Sequence, residues 1–310
     1  MDSVPSFWGG IYERAGALSQ IAFWGAVELG LVYAFVALGV FLAFRVLDFP
    51  DLTVDGSFPL GAAVAAVLII AGLNPWLASG VAMIAGAAAG LVTAMLNVRF
   101  RILNLLASIL TMIALFSVNL RVMGKPNVAL LNVETMLSPF YGHGLRDFYV
   151  RPLFIGVLVV FAVILVWRFL ESDAGLAMRA TGANARMSRA QGINTDRQIY
   201  LGIAISNALV ALGGALFAQT NGFADVTSGV GTIVVGLAAV IIGETLLGTR
   251  GILIALIGCV LGSILYRIAI QLALSTDVLG LQASDLNFVT AVLVTFALIL
   301  PRLRRGGAAS

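Results

Sequence analysis

The chain has 310 residues, of which 60% are hydrophobic and only 11% are charged, whereas soluble domains carry about 25% charged residues. Several apolar runs reach the roughly 20 residues needed to cross a bilayer, which excludes an ordinary soluble protein and predicts an all-α polytopic membrane protein. The formal net charge of +3 comes from arginines spread over the ends of these runs, as membrane orientation requires. It therefore gives no indication of nucleic-acid binding.

Nine apolar runs have a length that suits membrane spans, and we expect about nine transmembrane helices in one domain over residues 1–310. The runs are 20–44, 56–72, 76–96, 104–120, 153–170, 199–220, 230–247, 252–273 and 287–301. The second and the seventh run are short and rich in glycine. The sequence therefore allows either of them to be broken or re-entrant.

Arginine and lysine predict how these spans are oriented. With the arginines of the last ten residues in the cytoplasm, twelve basic residues lie on the inner side and five on the outer side, while Arg267 lies within the eighth span. Cytoplasmic loops carry the excess of positive charge in membrane proteins. We therefore expect the N-terminus outside, the C-terminus inside and the loop 121–151 on the outer face.

The segment between the first two spans carries three aspartates, including Asp51 and Asp55. Carboxylates beside an apolar span are costly unless they meet water, a partner or a transport pathway. In one interpretation Asp51, Thr53 and Asp55 line the inner mouth of a pathway or its gate. In the other, Asp55 or Ser57 caps the helix of the second span.

The fourth span and the loop after it carry polar side chains. Asn104, Ser108 and Thr111 recur at helical spacing and therefore share one face of the span. A polar face in lipid indicates either a translocation path or hydrogen bonds between helices. The loop contains the only histidine of the chain, His143. A single histidine in a loop is a poor metal site, and we expect no bound metal.

The stretch 171–200 is polar and rich in arginine, although it lies between two apolar spans. Its spacing is typical of a helix, and we predict one polar helix on the inner side, within a polar segment bounded by residues 172–197. Small residues let a soluble partner approach closely, and arginines can pair with its acidic groups. The alternative is a solvated loop. The docking residues would be Gly175, Arg179, Ala180, Gly182, Ala183, Arg186, Arg189 and Gly192.

Two segments of the chain are related at a constant offset of 174 residues, the first beginning at Tyr33 and the second at Asn207. The first shares Ala37, Leu38, Gly39, Phe49, Asp51 and Thr53 with Ala211, Leu212, Gly213, Phe223, Asp225 and Thr227 of the second, and Gly86 and Gly90 resemble Gly258 and Gly262. The repeated spacing predicts a shared turn in which the aspartate accepts backbone N–H groups. The alternative is chance similarity between apolar helices rich in alanine and glycine.

The number of spans between the two related segments predicts their relative orientation. The second segment begins five spans after the first, and an odd step reverses direction, so we expect inverted repeats with halves at about 20–120 and 199–301. Inverted repeats are typical of transporters, in which the pathway lies at the interface of the repeats.

Repeat symmetry and charge within a span give the remaining candidates for the pathway or its gate. Asn221, Asp225 and Thr227 would lie at the outer mouth, on the opposite side from Asp51. Arg267 is a cation within a span, where ionisable groups are rare and need partners. It could bind the carboxylate of a transported amino acid or form a structural ion pair.

The polar stretch followed by GINTDR, together with the spaced glycines of residues 229–262, resembles the permease subunits of the branched-chain amino-acid family of ABC importers. The resemblance covers most of the chain from Val27 onward. Within the family, DFPDLTVDGSF at residues 48–58 departs from the Asn-Phe-Ala-His-Gly type of sequence. It is similar instead to the subgroup whose genes accompany binding proteins for tryptophan, tyrosine or related compounds.

The resemblance implies a type II-like ABC importer permease fold in a bacterial inner (cytoplasmic) membrane, for an amino acid or a related compound. It also implies a cytoplasmic ABC ATPase, a periplasmic or lipid-anchored substrate-binding protein, and a second permease copy in a homodimer surrounded by membrane lipid. The polar segment would then couple transport to the ATPase. The chain has no GxxxxGK[ST] phosphate loop, so ATP and magnesium would be bound by the ATPase. We expect no catalytic residue and no cofactor in this chain.

Two other functional classes are alternatives to an importer subunit. A secondary transporter driven by an ion gradient would fit inverted repeats equally well, but it would have no need of a basic cytoplasmic helix. A membrane enzyme would need paired catalytic carboxylates, a cluster of metal ligands or a nucleophile elbow. The sequence presents none of these patterns.

Overall fold

The computed structural model describes residues 5–131, 133–138, 147–248 and 251–275, together with residues 292 and 295. This part of the chain is almost entirely helical. Its α-helices are α1 (Pro5–Val40), α2 (Val54–Ile70), α3 (Pro75–Val98), α4 (Asn104–Met123), α5 (Asp147–Glu171), α6 (Asp173–Ala183), α7 (Ala185–Ala190), α8 (Thr195–Asn221), α9 (Thr232–Leu247) and α10 (Ile252–Ser275). A π-helical stretch (Phe41–Val46) follows α1, and a 3-10 turn (Val226–Gly229) precedes α9. The two strands are β1 (Asn127–Ala129) and β2 (Phe223–Asp225).

Seven helical segments in the described part of the chain are long and apolar enough to cross a membrane, and α2 is a shorter apolar helix of 17 residues. These eight coincide with the first eight apolar runs of the sequence, whereas the ninth run, 287–301, lies outside the described residues. Both α2 and α9 are single helices, so neither of the two short runs is broken internally. The prediction of a multi-pass membrane protein is confirmed.

The first apolar run, 20–44, is confirmed as a segment of membrane-spanning length over Ile21–Val46, and its helix begins at Pro5 and continues into the π-helical stretch that carries Arg45. The fold also contains a small antiparallel sheet, because β1 pairs with β2 and sets Val128 opposite Ala224. Strands of three residues are too short to show a readable alternation of apolar and polar side chains. No sequence pattern therefore indicated them, and the all-α prediction is wrong in this detail.

The small sheet marks one end of the helix bundle. Gly124 ends α4 and Gly222 ends α8 with φ of +67° and +75°, a left-handed conformation that costs glycine little. Each glycine leads toward a strand, so the ends of α4 and α8 meet at what we call the sheet end. The opposite end carries α6 and α7 and is called the α6 end. The two ends are joined by α8, whose 27 residues span about 40 Å.

The core of the bundle is built around α8, which packs against α1, α2 and α3. A Cβ atom on Gly86 of α3 would lie 2.4 Å from the Asn207 carbonyl oxygen, and one on Gly90 would lie 2.5 Å from the Ile203 carbonyl oxygen. Small residues four apart allow helix backbones to approach closely in lipid. The two glycines of α3 therefore let its backbone lie directly on the middle of α8.

The two related segments contact each other reciprocally where α1 crosses α8. A Cβ atom on Gly39 would lie 2.6 Å from the Ser206 carbonyl oxygen, and one on Gly213 would lie 3.4 Å from the Val32 carbonyl oxygen. Gly213 follows Gly39 by the repeat offset, and Ser206 follows Val32 by the same offset. Each of the two contacts at the crossing of α1 and α8 therefore corresponds to the other when the repeat offset is applied.

Candidate functional site

Asp51 is completely buried between the π-helical stretch and α2, although it is a carboxylate in an apolar bundle. Its Oδ1 accepts the Thr53 backbone N–H at 2.9 Å, and its Oδ2 accepts a hydrogen bond from Asn207 Nδ2 at 2.7 Å. The Thr53 hydroxyl in turn shares a 2.7 Å hydrogen bond with the Thr93 hydroxyl of α3. The aspartate thus ties the start of α2 to α8, and in this conformation it lines no opening.

Asp225, the repeat mate of Asp51, makes the same turn in a different place. Its Oδ1 accepts the Thr227 backbone N–H at 2.7 Å and the Thr227 hydroxyl at 2.5 Å, and its Oδ2 accepts Asn127 Nδ2 at 3.1 Å. The shared turn predicted from the repeat is therefore present in both halves. Burial alone would raise the pKa of Asp225, but these hydrogen bonds outweigh it, and the pKa lies below its usual range.

Asp55 connects the first turns of α2 and α9. Its carboxylate accepts the backbone N–H groups of Gly231 at 3.2 Å and of Ile233 at 2.7 Å, so it caps α9 rather than its own helix. Ser57, the other candidate cap, donates its hydroxyl to Asn207 Oδ1 at 2.7 Å. Both capping assignments for α2 are wrong, because the sequence does not reveal that the starts of α2 and α9 meet in space.

The polar face of α4 is directed into the protein. Ser108 and Thr111 are buried, and their hydroxyls donate to carbonyl groups about one turn earlier in the same helix. Asn104 Oδ1 accepts a hydrogen bond of 2.6 Å from Asn97 Nδ2 at the end of α3. Among these three residues only Asn104 bonds to another helix, so the interpretation of hydrogen bonds between helices is supported at Asn104 alone.

The polar segment 172–197 contains two helices where the sequence predicts one. The backbone is extended at Asn184, with φ of −160° and ψ of 95°, and this residue separates α6 from α7. The Asn184 side chain accepts the Met187 backbone N–H at 3.0 Å, which is the usual role of asparagine at a helix start. The prediction of a single polar helix is therefore wrong.

Two glycines hold α6 against the membrane helices. A Cβ atom on Gly182 would lie 2.0 Å from the Val46 carbonyl oxygen, at the end of the π-helical stretch. A Cβ atom on Gly175 would lie 2.1 Å from the Phe169 carbonyl oxygen, at the end of α5. From the sequence, both glycines are expected to admit a partner protein, whereas in this structure they admit contacts within the chain.

The outward face of α6 and α7 combines basic and apolar side chains. The predicted docking residues that are exposed are Arg179, Ala183, Arg186, Arg189 and Gly192. Ala180 is half-buried. Leu176 and Met187 are each 50% exposed on the same two helices, and neither was among the residues predicted from the sequence. An exposed large apolar side chain in a polar segment is the signal that could have indicated them.

A cavity of about 560 Å³ lies beside α6 at the α6 end. Its lining includes Arg45, Asp48, Arg179 and Glu244. Arg45 and Glu244 form a two-pronged ion pair, with 2.5 Å between Nε and Oε1 and 2.6 Å between Nη2 and Oε2. This pair joins the end of the π-helical stretch to the last turns of α9, so it closes the bundle where α6 is attached.

Arg267 of α10 lies over the ring of Tyr33 in α1, with 4.0 Å between the guanidinium carbon and the ring centroid. No salt bridge joins it to a carboxylate within the part of the chain that the structure describes. Glu28, an acid within a span that could have been its partner, lies 3.7 Å from Arg151. The structural ion pair that the sequence allows for Arg267 is therefore not formed among these residues.

Comparison with known proteins identifies the class of protein that carries these features. Residues 24–300 match the family described as branched-chain amino acid transport system, permease component. The chain belongs to this family. It is therefore a transmembrane ABC transporter permease of amino-acid transport, and a transport subunit rather than an enzyme. Membership of this family implies an ATPase and a substrate-binding partner.

Two relatives are similar to the permease over most of their length. The tyrosine transport system permease protein of Clostridioides difficile (strain R20291) is 38% identical over 265 residues, which cover 85% of this chain and 86% of the relative. An uncharacterized protein of Rickettsia prowazekii (strain Madrid E) is 34% identical over 277 residues, which cover 88% of this chain and 95% of the relative. No solved structure matches the chain.

Proposed function

We propose that the permease is the membrane-spanning subunit of an importer that moves an amino acid or a related small solute into the cytoplasm, with ATP hydrolysed by a separate ATPase. The observation that carries this proposal is the arrangement of α6 and α7. They present a basic and partly apolar surface at one end of the bundle, and Gly182 and Gly175 fix that surface to the π-helical stretch and to α5. Such a surface can bind a soluble protein and transmit its movement.

Binding and transmission use different residues of α6 and α7. The exposed guanidinium groups of Arg179 and Arg186 can form charge-assisted hydrogen bonds with acidic groups of the ATPase, while Leu176 and Met187 can fill apolar pockets on it. Movement of α6 reaches the membrane through Gly182, because its backbone lies on the Val46 carbonyl group.

The contact at Val46 continues into a second membrane helix. Arg45, the residue before Val46, forms the ion pair with Glu244 of α9. A displacement of α6 therefore acts on α1 and, through this ion pair, on α9. We propose this series of contacts as the route by which ATP hydrolysis changes the shape of the membrane domain.

The α6 end would face the cytoplasm and the sheet end the outside, in the nine-span topology. Two contacts support the relative helix directions of this topology, because the ion pair of Arg45 and Glu244 brings the ends of α1 and α9 together, and the pairing of β1 with β2 brings the ends of α4 and α8 together at the other end. Five spans from α1 to α8 make the halves inverted repeats. The reciprocal contacts of Gly39 and Gly213 are those expected of two inverted halves.

The solute pathway would follow the interface between the two repeats. Asn221, Asp225 and Thr227 lie at the sheet end, where an external binding protein would deliver the solute. Asp51, Thr53 and Asp55 would act indirectly, since their hydrogen bonds set where α2 and α9 begin. Asn104 and Ser108 face the protein interior and would reach a solute only after a movement of α4.

The assembly we propose contains two copies of the permease, two ATPase subunits and one substrate-binding protein, in a bacterial cytoplasmic membrane. Two permease copies would offer two α6–α7 surfaces to the two ATPases. The name of the Clostridioides difficile relative makes L-tyrosine the first solute to test. ATP and magnesium would be bound by the ATPase alone.

The test is reconstitution of the permease in liposomes with the ATPase and the binding protein whose genes neighbour its own. We expect ATP-dependent uptake of L-tyrosine or another amino acid. Ala183→Trp, on the exposed face of α6, should leave the amount of permease in the membrane unchanged and abolish uptake or ATPase binding. Ala129→Trp, an exposed alanine of β1 at the sheet end, is the control for ATPase binding.

Two results would contradict the proposal. If Ala183→Trp keeps both ATPase binding and full uptake, α6 does not couple transport to the ATPase. If the wild-type permease alone accumulates solute in response to a proton or sodium gradient, without ATP, the secondary-transporter alternative is correct.

A further inference from the structure

Arg267 is a cation within the membrane-spanning part of α10, and its guanidinium group is incompletely satisfied. Its Nε atom is buried and has no hydrogen-bond acceptor among the residues that the structure describes. The side chain as a whole is half-buried, so a small molecule can still reach part of it. Charged side chains in membrane spans usually pair with another charge, line a wet cavity or mark a pathway for ions or substrates.

Two acids within the spans differ from Arg267 because each faces a partner of opposite charge. Glu244 pairs with Arg45 at 2.5 Å, and Glu28 faces Arg151 at 3.7 Å. Within the described part of the chain, Arg267 instead contacts the neutral ring of Tyr33. The guanidinium group therefore has a fixed position but retains hydrogen-bond donors for an acidic ligand.

Tyr33 provides a rigid support for this guanidinium group. Behind Tyr33, the ring of Phe58 is stacked at a centroid distance of 5.5 Å and an angle of 28°, and the ring of Phe217 meets it edge-on at 6.1 Å. A cation over an aromatic face is stabilised most where water is excluded. Since the ring attracts the charge without accepting N–H groups in the plane of the guanidinium, those groups stay available to a carboxylate.

The position of Arg267 suits a solute that passes between the repeats. Tyr33 belongs to the first repeat and Arg267 to the second. One turn away, the Ser263 hydroxyl donates to the Gly30 carbonyl group, and a Cβ atom on Gly30 would lie 2.8 Å from the Ile264 backbone. This close crossing fixes α10 against α1. Arg267 lies about 20 Å along α10 from the α6 end, in the half of the bundle nearer the sheet end.

We propose that Arg267 binds the carboxylate of the transported amino acid, and that Tyr33 is a positioning residue that holds its guanidinium group. The proposal deepens the importer function and rests on it, and it names the solute class as amino acids with a free α-carboxylate. A guanidinium group recognises a carboxylate through two parallel N–H···O bonds. An amide or an amine made from the same amino acid cannot replace that interaction.

The test measures binding to the purified full-length permease through its thermal unfolding midpoint. The probes are the common L-amino acids, including L-tyrosine, and their neutral counterparts L-tyrosinamide and tyramine. We expect at least one amino acid to raise the midpoint while its amide and amine do not. Arg267→Gln should remove the rise, and Arg267→Lys, which loses the two-pronged geometry, should weaken binding by about tenfold or more.

Tyr33 variants test its positioning role separately. Tyr33→Phe keeps the aromatic face and should keep the affinity, whereas Tyr33→Leu keeps apolar bulk but loses the face and should weaken binding several-fold. Arg121→Gln removes an exposed arginine at the sheet end of α4 and is the matched control. If Arg267→Gln does not fold, Arg267→Lys and the two Tyr33 variants still decide the proposal.

Three results would overturn this site. They are a rise in midpoint that persists in Arg267→Gln, an amide that binds as well as its acid, and the lack of a response to every amino acid. ATP-driven uptake by the assembled transporter separates this proposal from the importer proposal. Uptake that Arg267→Gln leaves unchanged removes the site and keeps the importer. Binding that depends on Arg267 without any ATP-driven uptake keeps the site and removes the importer.

Discussion

Asn207 donates a 2.7 Å hydrogen bond from its side-chain amide to Asp51 Oδ2, and both residues are completely buried. The same amide nitrogen donates to the Ile203 carbonyl group at 3.0 Å, and the amide oxygen accepts the Ser57 hydroxyl at 2.7 Å. One side chain of α8 therefore meets the residues on both sides of the start of α2. We infer that this pair fixes where α2 begins.

The first prediction concerns the loss of acceptors at Asp51. Asp51→Leu leaves the Thr53 N–H and the Asn207 amide without their acceptor, and an unsatisfied buried donor costs about 1–3 kcal/mol. We expect the amount of folded permease in the membrane to fall about several-fold, as losses of this size usually produce. Asp51→Asn keeps one acceptor for Thr53. Rotation of the Asn207 amide lets its oxygen accept from the new amide and its nitrogen donate to the Ser57 hydroxyl, at the cost of the bond to the Ile203 carbonyl group. This variant should therefore be more abundant than Asp51→Leu.

Asp225→Leu is the matched control, because Asp225 forms the same turn at the exposed sheet end. The groups that donate to the Asp225 carboxylate, from Thr227 and Asn127, can form hydrogen bonds with water instead. The amount of permease in the membrane should therefore stay close to that of the wild type. Abundance and uptake should be measured together for these variants. If Asp51→Leu is as abundant as Asp225→Leu, the buried network of Asp51 does not determine the fold.

The second prediction concerns Gly182. In Gly182→Ala the new methyl group would lie 2.0 Å from the Val46 carbonyl oxygen, so α6 must move away from the π-helical stretch. Overpacking of this kind costs about 1–3 kcal/mol. We expect a lower thermal unfolding midpoint and weaker coupling of ATP hydrolysis to uptake, both measured on the reconstituted transporter.

Gly80→Ala provides the comparison for Gly182→Ala, since a Cβ atom on Gly80 of α3 meets nothing within 4 Å. Replacing a helical glycine by alanine without a clash is favourable by roughly 0.5–1 kcal/mol, so Gly80→Ala should be neutral or slightly stabilising. Equal behaviour of the two alanine variants would show that the contact between Gly182 and Val46 is unimportant.

The sequence predicted the local elements of this protein well, because each depends on residues that are close together along the chain. The apolar runs mark the helices, and the Asp-x-Thr spacing marks the turns at Asp51 and Asp225. The glycine pair Gly86 and Gly90 marks a close helix contact, although the sequence does not say that its partner is α8. These features follow from side-chain periodicity and turn chemistry alone.

Features that depend on contacts between distant segments could not be predicted in the same way. Asp55 caps α9, 176 residues further along the chain, and no local pattern announces such a cap. Arg45 and Glu244 are 199 residues apart, and each looks like an ordinary charge at the end of a span. The break at Asn184 is a local feature, but the helical spacing of the residues around it masks its capping role.

The third prediction concerns the ion pair of Arg45 and Glu244. The side chain of Arg45 is 52% exposed and that of Glu244 is 16% exposed, so the pair should contribute only about 1 kcal/mol to stability. Its functional effect should be larger, because it links α1 to α9 at the α6 end. We expect Arg45→Glu and Glu244→Arg each to impair ATP-driven uptake while membrane abundance changes little.

The exchanged double variant, Arg45→Glu with Glu244→Arg, distinguishes a pairwise contact from two independent effects. It restores the opposite charges in reversed positions, so it should recover part of the uptake lost in each single variant. The difference between the double variant and the two single variants gives the coupling between the residues. A double variant that is as inactive as the worse single variant would show that the pair does not act as a link.

The last prediction concerns which side of the membrane each end of the bundle faces. Cysteines placed at Leu131, near the sheet end, and at Met187, on α7, should react from opposite sides of the membrane. Both positions are well exposed, at 75% and 50%, whereas the nearby Ser188 is completely buried and would be a poor probe. The native Cys259 is also buried, and Cys259→Ala removes it as a source of background. Because the excess of basic residues predicts that α7 lies inside, a membrane-impermeant maleimide should label Leu131→Cys in intact cells and Met187→Cys only after the cells are opened. The Cys259→Ala parent, without an added cysteine, gives the background. Labelling of both positions in intact cells would show that an even number of spans separates them, in which case α1 and α8 run in the same direction and the two halves are not inverted repeats.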